Sequence, residues 1–175
     1  QLLDIPPEQM RGDDIKRLQD AQDAYLAAQQ ANTDDTSAQL NIGVFYQTRG
    51  QLALAEDAYR RAIELDPYFI AAYVNLADLY RASFRDPDAE RLLQTGLQQL
   101  PEAAPLHFSL GLLKVRSKQM DQALTALRQA VSLDPDTSRY RYVLAVALDS
   151  AGQRADALAE LEKGLQRNPN SQTLL

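Results

Sequence analysis

Four prolines, Pro67, Pro101, Pro135 and Pro169, stand 34 residues apart, and no other property of the sequence restricts the fold as tightly. Three further columns keep the same interval. Ala55, Ala89, Ala123 and Ala157 form one, Ile42, Leu76, Leu110 and Leu144 a second, and the small residues Gly43, Ala77, Gly111 and Ala145 a third. A fixed period of this length means stacked supersecondary units, each burying its apolar face on its neighbours.

Each unit reads as two helices. With units counted from residues 36, 70, 104 and 138, apolar or small residues recur at unit positions 4, 7, 8 and 11, then at 20, 24 and 27. Both sets have the spacing of one helical face. In the first unit the spacing predicts helices over roughly 37–49 and 52–65, with Gly50 in the turn between them. The periodic proline follows each second helix, where its missing N–H and its restriction on the preceding residue stop the helix. Asp86-Pro87 suits a first helical turn. Period-2 alternation is absent, so the predicted fold is all-α. Gly43 and Gly111 fall where paired helices approach closely, Gly96 and Gly164 on the side toward the next unit, and Gly152 in a turn, so no phosphate-cradling loop is implied.

These residues resemble the tetratricopeptide repeat. The first unit matches through Ile42-Gly43, Tyr46, Gly50, Ala55, Tyr59, Ala62 and Pro67, and the second through Tyr73, Leu76-Ala77, Tyr80, Ala89, Leu93, Gly96 and Pro101. The third departs at Lys114, where an aromatic is usual, and at Lys118, where glycine is usual; both are expected to loosen it. The resemblance implies a right-handed superhelical solenoid of antiparallel helix pairs, with units at 36–69, 70–103, 104–137 and 138–171. Residues 13–33 read as an N-terminal covering helix, an orphan second helix with Ala21, Tyr25 and Ala28 at positions 20, 24 and 27 and Ile15 and Leu18 ahead of them. Residues 1–12, with Pro6-Pro7, read as a linker, and 172–175 as the truncated start of a further helix. The fourth unit, with Leu158, Leu161 and Leu165 on its second helix, is expected to be uncapped, and the whole to be a fragment of a longer multidomain chain.

Composition and motifs argue against catalysis. No cysteine is present, so disulfides, thiolate metal sites and cysteine nucleophiles are excluded. The single histidine, His107, occupies a packing position. The acid pairs Asp13-Asp14, Asp34-Asp35 and Glu56-Asp57 fall near helix starts, where carboxylates complement free N–H groups. No metal, cofactor or catalytic residue is expected; Ser117-Lys118, the tripeptide Arg11-Gly12-Asp13 and Asp134-Pro135-Asp136 read as chance matches. A net charge of −6, of which −5 falls in residues 1–35, argues against nucleic acid. The longest apolar-leaning run, Tyr68 to Leu76, cannot span a bilayer.

A second stripe on the first helices points to a working surface. Positions 5 and 9 lie well away from the face toward the partner helix and should be polar on a solvated helix. They hold Leu40 and Val44, Val74 and Asp78, Phe108 and Leu112, and Tyr142 and Val146, with Val115 at position 12. Asn41, Gln47, Asn75, Arg81, Arg116, Arg139 and Asp149 flank them. In tetratricopeptide solenoids, which this chain resembles, these positions line the concave groove. The resemblance therefore implies a non-catalytic scaffold that binds a partner protein or peptide, with the arginines steering an amphipathic or acidic segment. Packing between units, or cover by another domain or a second copy, would also account for the stripe. The chaperone-peptide clamp of the family is not expected, because its sites read Leu40, Val44, Asn75, Pro105 and Ser109, and only Asn75 fits.

The rival reading is an assembly arm that docks on another domain of a larger protein or forms a homodimer through the uncapped fourth unit. Fourteen arginines against four lysines, with alanine- and glutamine-rich helices, suggest a bacterial chain. Resemblance to the repeat tails of multihaem cytochrome c proteins implies the periplasm, with the cytoplasm as the alternative.

Overall fold

The computed structural model describes residues 12–169, 171 and 173. The expected linker therefore lies outside the described residues except for Gly12, and the expected start of a further helix except for Thr173. So do the side chains of Ile15 and Leu18. The helices are α1 (Gly12–Gln30), α2 (Thr36–Thr48), α3 (Leu52–Leu65), α4 (Ile70–Ala82), α5 (Asp86–Gln99), α6 (Ala104–Arg116), α7 (Met120–Leu133), α8 (Ser138–Ser150) and α9 (Arg154–Arg167). There is no strand among the described residues. From α2 onward, helices of the same kind start 34 residues apart. The chain divides between Asp66 and Pro67 into two compact units.

The backbone ends each first helix in one way. Gln51, Arg85, Gln119 and Gln153 donate their N–H groups to the carbonyls of Tyr46, Tyr80, Lys114 and Leu148, at 2.8–2.9 Å. This is the reverse bond of a Schellman cap, and it requires left-handed backbone at the residue just before each donor. Those residues are Gly50 (φ 72°), Phe84 (φ 58°), Lys118 (φ 58°) and Gly152 (φ 79°). Two of the four are not glycine. Each second helix closes on a carbonyl four residues back, as Asp66 does on Ala62 at 3.0 Å, and the periodic proline follows directly.

Unit position 4 reaches the turn between repeats. Gln39 Nε2 donates to the Thr33 carbonyl at 2.9 Å and the Tyr73 hydroxyl to that of Pro67 at 3.2 Å. His107 Nε2 lies 2.8 Å from the Pro101 carbonyl, and Arg141 Nη2 donates to that of Pro135 at 3.4 Å. Four different side chains thus satisfy the carbonyl six residues earlier. His107 is one of these turn clamps.

In the first unit, α1 packs on α2, and α2 on α3. Tyr59 of α3 is fully buried against Gly43, and its hydroxyl donates to Gln47 Oε1 at 2.7 Å. The ring of Tyr25 on α1 meets that of Phe45 at 6.2 Å. Ala21 and Ala28 nevertheless stay exposed, unlike their period images Ala55 and Ala62. Position 27 of a second helix sits between its own first helix and the next, as Gly96 does between Tyr73 and Leu106, and no first helix precedes α1 among the described residues.

In the second unit, α4 pairs with α5, α6 with α7, and α8 with α9. Its apolar core joins Phe108, Leu124, Leu127, Leu144, Ala145 and Leu148, with Leu112, Val115 and Tyr140 packed against it. Lys114 does not loosen the third repeat. It is 5% exposed, and its ammonium is held by Glu90 Oε1 of α5 at 2.6 Å and Gln119 Oε1 at 2.8 Å. The ion pair ties α6 to the preceding repeat and replaces the aromatic packing of Tyr80 one period earlier.

Candidate functional site

The stripe residues divide among three places. On α2, Leu40 and Val44 lie one turn apart and form a small apolar patch, with Val44 exposed. The polar neighbours there are engaged internally, since Asn41 Nδ2 donates to Gln29 Oε1 at 3.2 Å and Gln47 accepts from Tyr59. The Gln47 amide thus serves a phenol on the next helix, a partner that the stripe's own spacing does not reveal.

In the second unit, Val74, Asp78 and Arg81 of α4, Phe108, Leu112 and Arg116 of α6, and Arg139 at the start of α8 line one cavity of about 400 Å³. Ala82, Pro105, Ser109 and Tyr140 complete it. Its floor is apolar because Phe108 is part of the core and stacks on Tyr140, ring centroids 4.6 Å apart. Phe108 and Val115 also pack in the core that joins α6 to α8, so they take part in packing between units as well as in the stripe. Asn75 is half-buried on α4 and does not line the cavity.

The three arginines converge over this floor by different means. Arg81 Nη1 pairs with Asp78 Oδ1 at 2.6 Å, one turn away on the same helix. Arg116 is held twice, by Asp86 Oδ2 at 3.1 Å and by the Arg81 carbonyl at 2.9 Å. Its guanidinium also lies 4.9 Å from the centroid of the Phe84 ring, a residue that sequence spacing did not single out. Arg139 stacks over Phe108 at 5.3 Å and makes no ion pair among the described residues. The lining carries three cations and one carboxylate in a chain whose net charge is −6. It can accept a carboxylate bidentately beside an apolar side chain. Burial raises the Tyr140 phenol above its ordinary value, reinforced by the nearby Asp134 charge, so at neutral pH it offers a neutral hydroxyl.

Tyr142, Val146 and Asp149 fall on a different surface. With Ala145, Ser150, Arg154, Ala157, Leu158 and Leu161 they line a cavity of about 340 Å³ on α8 and α9. Asp149 is bonded to Arg154 at 3.0 Å. Moved back one period, Tyr142 and Leu158 become Phe108 and Leu124, which α8 helps to bury. The exposures are 44% and 56% here against 6% and 3% there.

Among the described residues there is no group of metal-ligating side chains and no helix long and apolar enough to cross a membrane.

Two family models described as tetratricopeptide repeat match residues 15–68 and 114–174, together about two-thirds of the chain. Human protein O-mannosyl-transferase TMTC3 is 26% identical over 176 residues, covering 91% of this chain and 19% of that protein. The chain thus spans about a fifth of the length of that relative. Among solved structures, TTC0263, a thermophilic tetratricopeptide protein of Thermus thermophilus, superposes with a TM-score of 0.72 at 24% identity, covering 91% of this chain and 88% of that one. YrrB, described as a tetratricopeptide protein with an unusual peptide-binding site, gives 0.62 at 18% identity, covering 93% and 84%. The resemblance to multihaem cytochrome tails finds no support in these comparisons. The tetratricopeptide fold is generally a non-catalytic scaffold for protein–protein interaction. By its periodic helices, its capped turns and these matches, the chain is an all-helical tetratricopeptide-repeat protein.

Proposed function

We propose that the protein is a non-catalytic interaction module whose cavity between α4, α6 and the start of α8 binds a short acidic or amphipathic segment of a partner protein. The observation that carries this reading is the convergence of Arg81, Arg116 and Arg139 on an apolar floor in a chain that is otherwise acidic. A carboxylate entering the site meets Arg139, which has no ion-pair partner among the described residues to give up, while the segment's apolar side chains cover Val74 and Leu112. The test is fluorescence anisotropy with acidic peptides at low and physiological salt. Arg139→Glu should weaken binding at least ~fivefold, since one exposed pair contributes ~1 kcal/mol and the substitution adds repulsion. Leu112→Glu should abolish it. Equal affinity in wild type and both variants would refute the reading.

A second reading has its own support. The α8–α9 surface repeats, one period on, a surface that is covered elsewhere, and it leaves Tyr142 and Leu158 exposed. Such an apolar face suits self-association as an assembly arm. Sedimentation of wild type beside Leu158→Glu tests it: a concentration-dependent dimer lost in the variant supports the reading, and an invariant monomer rejects it.

A further inference from the structure

Phe84 breaks two rules at once. It is the most exposed large apolar residue described, at 84%, and its backbone lies at φ 58°, where L side chains are disfavoured and glycine is free. The same turn position carries glycine in the first and fourth repeats and a soluble lysine in the third. A residue that is unfavourable both for its conformation and for its exposure is explained when something outside the chain uses the ring.

The surroundings say what that is. The ring sits on the Arg116 guanidinium, 4.9 Å away, and Arg116 is fixed at two nitrogens, by Asp86 and by the Arg81 carbonyl. Arg116 and Ala82 both line the arginine cavity. The ring is therefore a rigidly supported platform beside a cation-lined pocket, and the stack leaves its outer face to solvent. An aromatic adjoining an arginine cluster complements a segment in which an apolar side chain neighbours a carboxylate.

We infer that Phe84 is a partner-contacting residue that selects, among acidic segments, those carrying a large apolar side chain beside the acid. The inference rests on the reading of the cavity as an acidic-segment site. The experiment uses two labelled nonapeptides, one with phenylalanine flanked on both sides by glutamates and one with alanine in its place, against the full chain by fluorescence anisotropy. Wild type should prefer the phenylalanine probe about fivefold to tenfold, an aromatic contact of ordinary size. Phe84→Gly should bind both probes alike, at the affinity of the alanine probe. Its melting temperature should rise by about 2–4 °C, because glycine relieves the turn. Phe84→Asn, which tolerates left-handed backbone, should behave likewise. Lys118→Gly should stabilise in the same way and keep the preference.

An aromatic that serves only the fold would leave the probe preference intact in Phe84→Gly. That result overturns the inference while leaving the arginine cavity standing, since both probes still bind and both are weakened in Arg139→Glu. Equal binding of the two probes by wild type also overturns it. Failure of wild type to bind either probe refutes the cavity reading and the inference with it.

Discussion

The contact between Gly43 and Tyr59 sets two well-defined effects against each other. A Cβ built on Gly43 would lie 2.3 Å from Tyr59 Cε1, 2.5 Å from Cδ1 and 2.9 Å from Cζ. Carbon atoms pack at about 3.5–4.0 Å, so the ring would have to retreat by more than about 1 Å. It has nowhere to go. Tyr59 is fully buried, and its hydroxyl is anchored on Gln47 by a 2.7 Å bond. Overpacking of this kind destabilises by about 1–3 kcal/mol, and losing a buried hydroxyl's partner adds about 1–3 kcal/mol. Against this, replacing a mid-helix glycine by alanine stabilises by about 1 kcal/mol. Gly43→Ala should therefore lower stability by about 2 kcal/mol, measured as a shift of the urea midpoint at constant slope. The second and fourth repeats supply the control, because they pair Ala77 with Leu93 and Ala145 with Leu161 at the same two positions. In the double variant with Tyr59→Leu the alanine should cost less than in wild type but not nothing, since in the third repeat a Cβ on Gly111 would still lie 2.6 Å from Leu127 Cγ. The cycle should show a coupling of about 1 kcal/mol. If Gly43→Ala alone raises stability by its helix propensity, the steric argument is wrong.

Two further outcomes follow from buried polar groups. Lys114→Ala should destabilise by about 2–4 kcal/mol, because Glu90 loses its cation in a largely buried setting, whereas Lys114→Met together with Glu90→Met should lie within about 1 kcal/mol of wild type in thermal melts. Burial pushes the Tyr59 phenol up from 10.0 to about 12. Its contribution is complete below pH 10.0 and lost as pH rises through about 12, since in that window only the unfolded chain releases the proton. Denaturation midpoints should fall on the alkaline side, and Tyr59→Phe should flatten that fall.

The helices were legible because their determinants are local and repeated: apolar spacing writes the buried face, and proline writes the stop. Glycine marked two of the four left-handed turns. The other two, at Phe84 and Lys118, were obscured because backbone geometry imposed by the Schellman bond overrode residue preference. Lys114 looked like a defect, since its carboxylate stands 24 residues away and no spacing rule joins them. The position-4 clamps were invisible for a different reason. Gln39, Tyr73, His107 and Arg141 share reach and a hydrogen-bonding tip, which is not a residue type and leaves no column in a periodic alignment. The stripe identified the arginines that line the cavity, yet could not separate Phe108 as core from Tyr142 as surface. That difference depends on what lies above each one.

The ion pair between Lys114 and Glu90 also gives the repeats an order. A clamp at position 4 meets a backbone carbonyl at position 32 of the preceding repeat, a group that any residue supplies, so it would survive a reordering of the repeats. The lysine instead depends on position 21 of whichever repeat comes before. That position holds Glu56 in the first repeat and Glu90 in the second, but Leu124 in the third and Leu158 in the fourth. The third repeat could follow either of the first two. Placed after a copy of itself or after the fourth, it would bring a buried ammonium against leucine. Duplication of this unit in evolution is thereby barred unless one of the two sites changes with it.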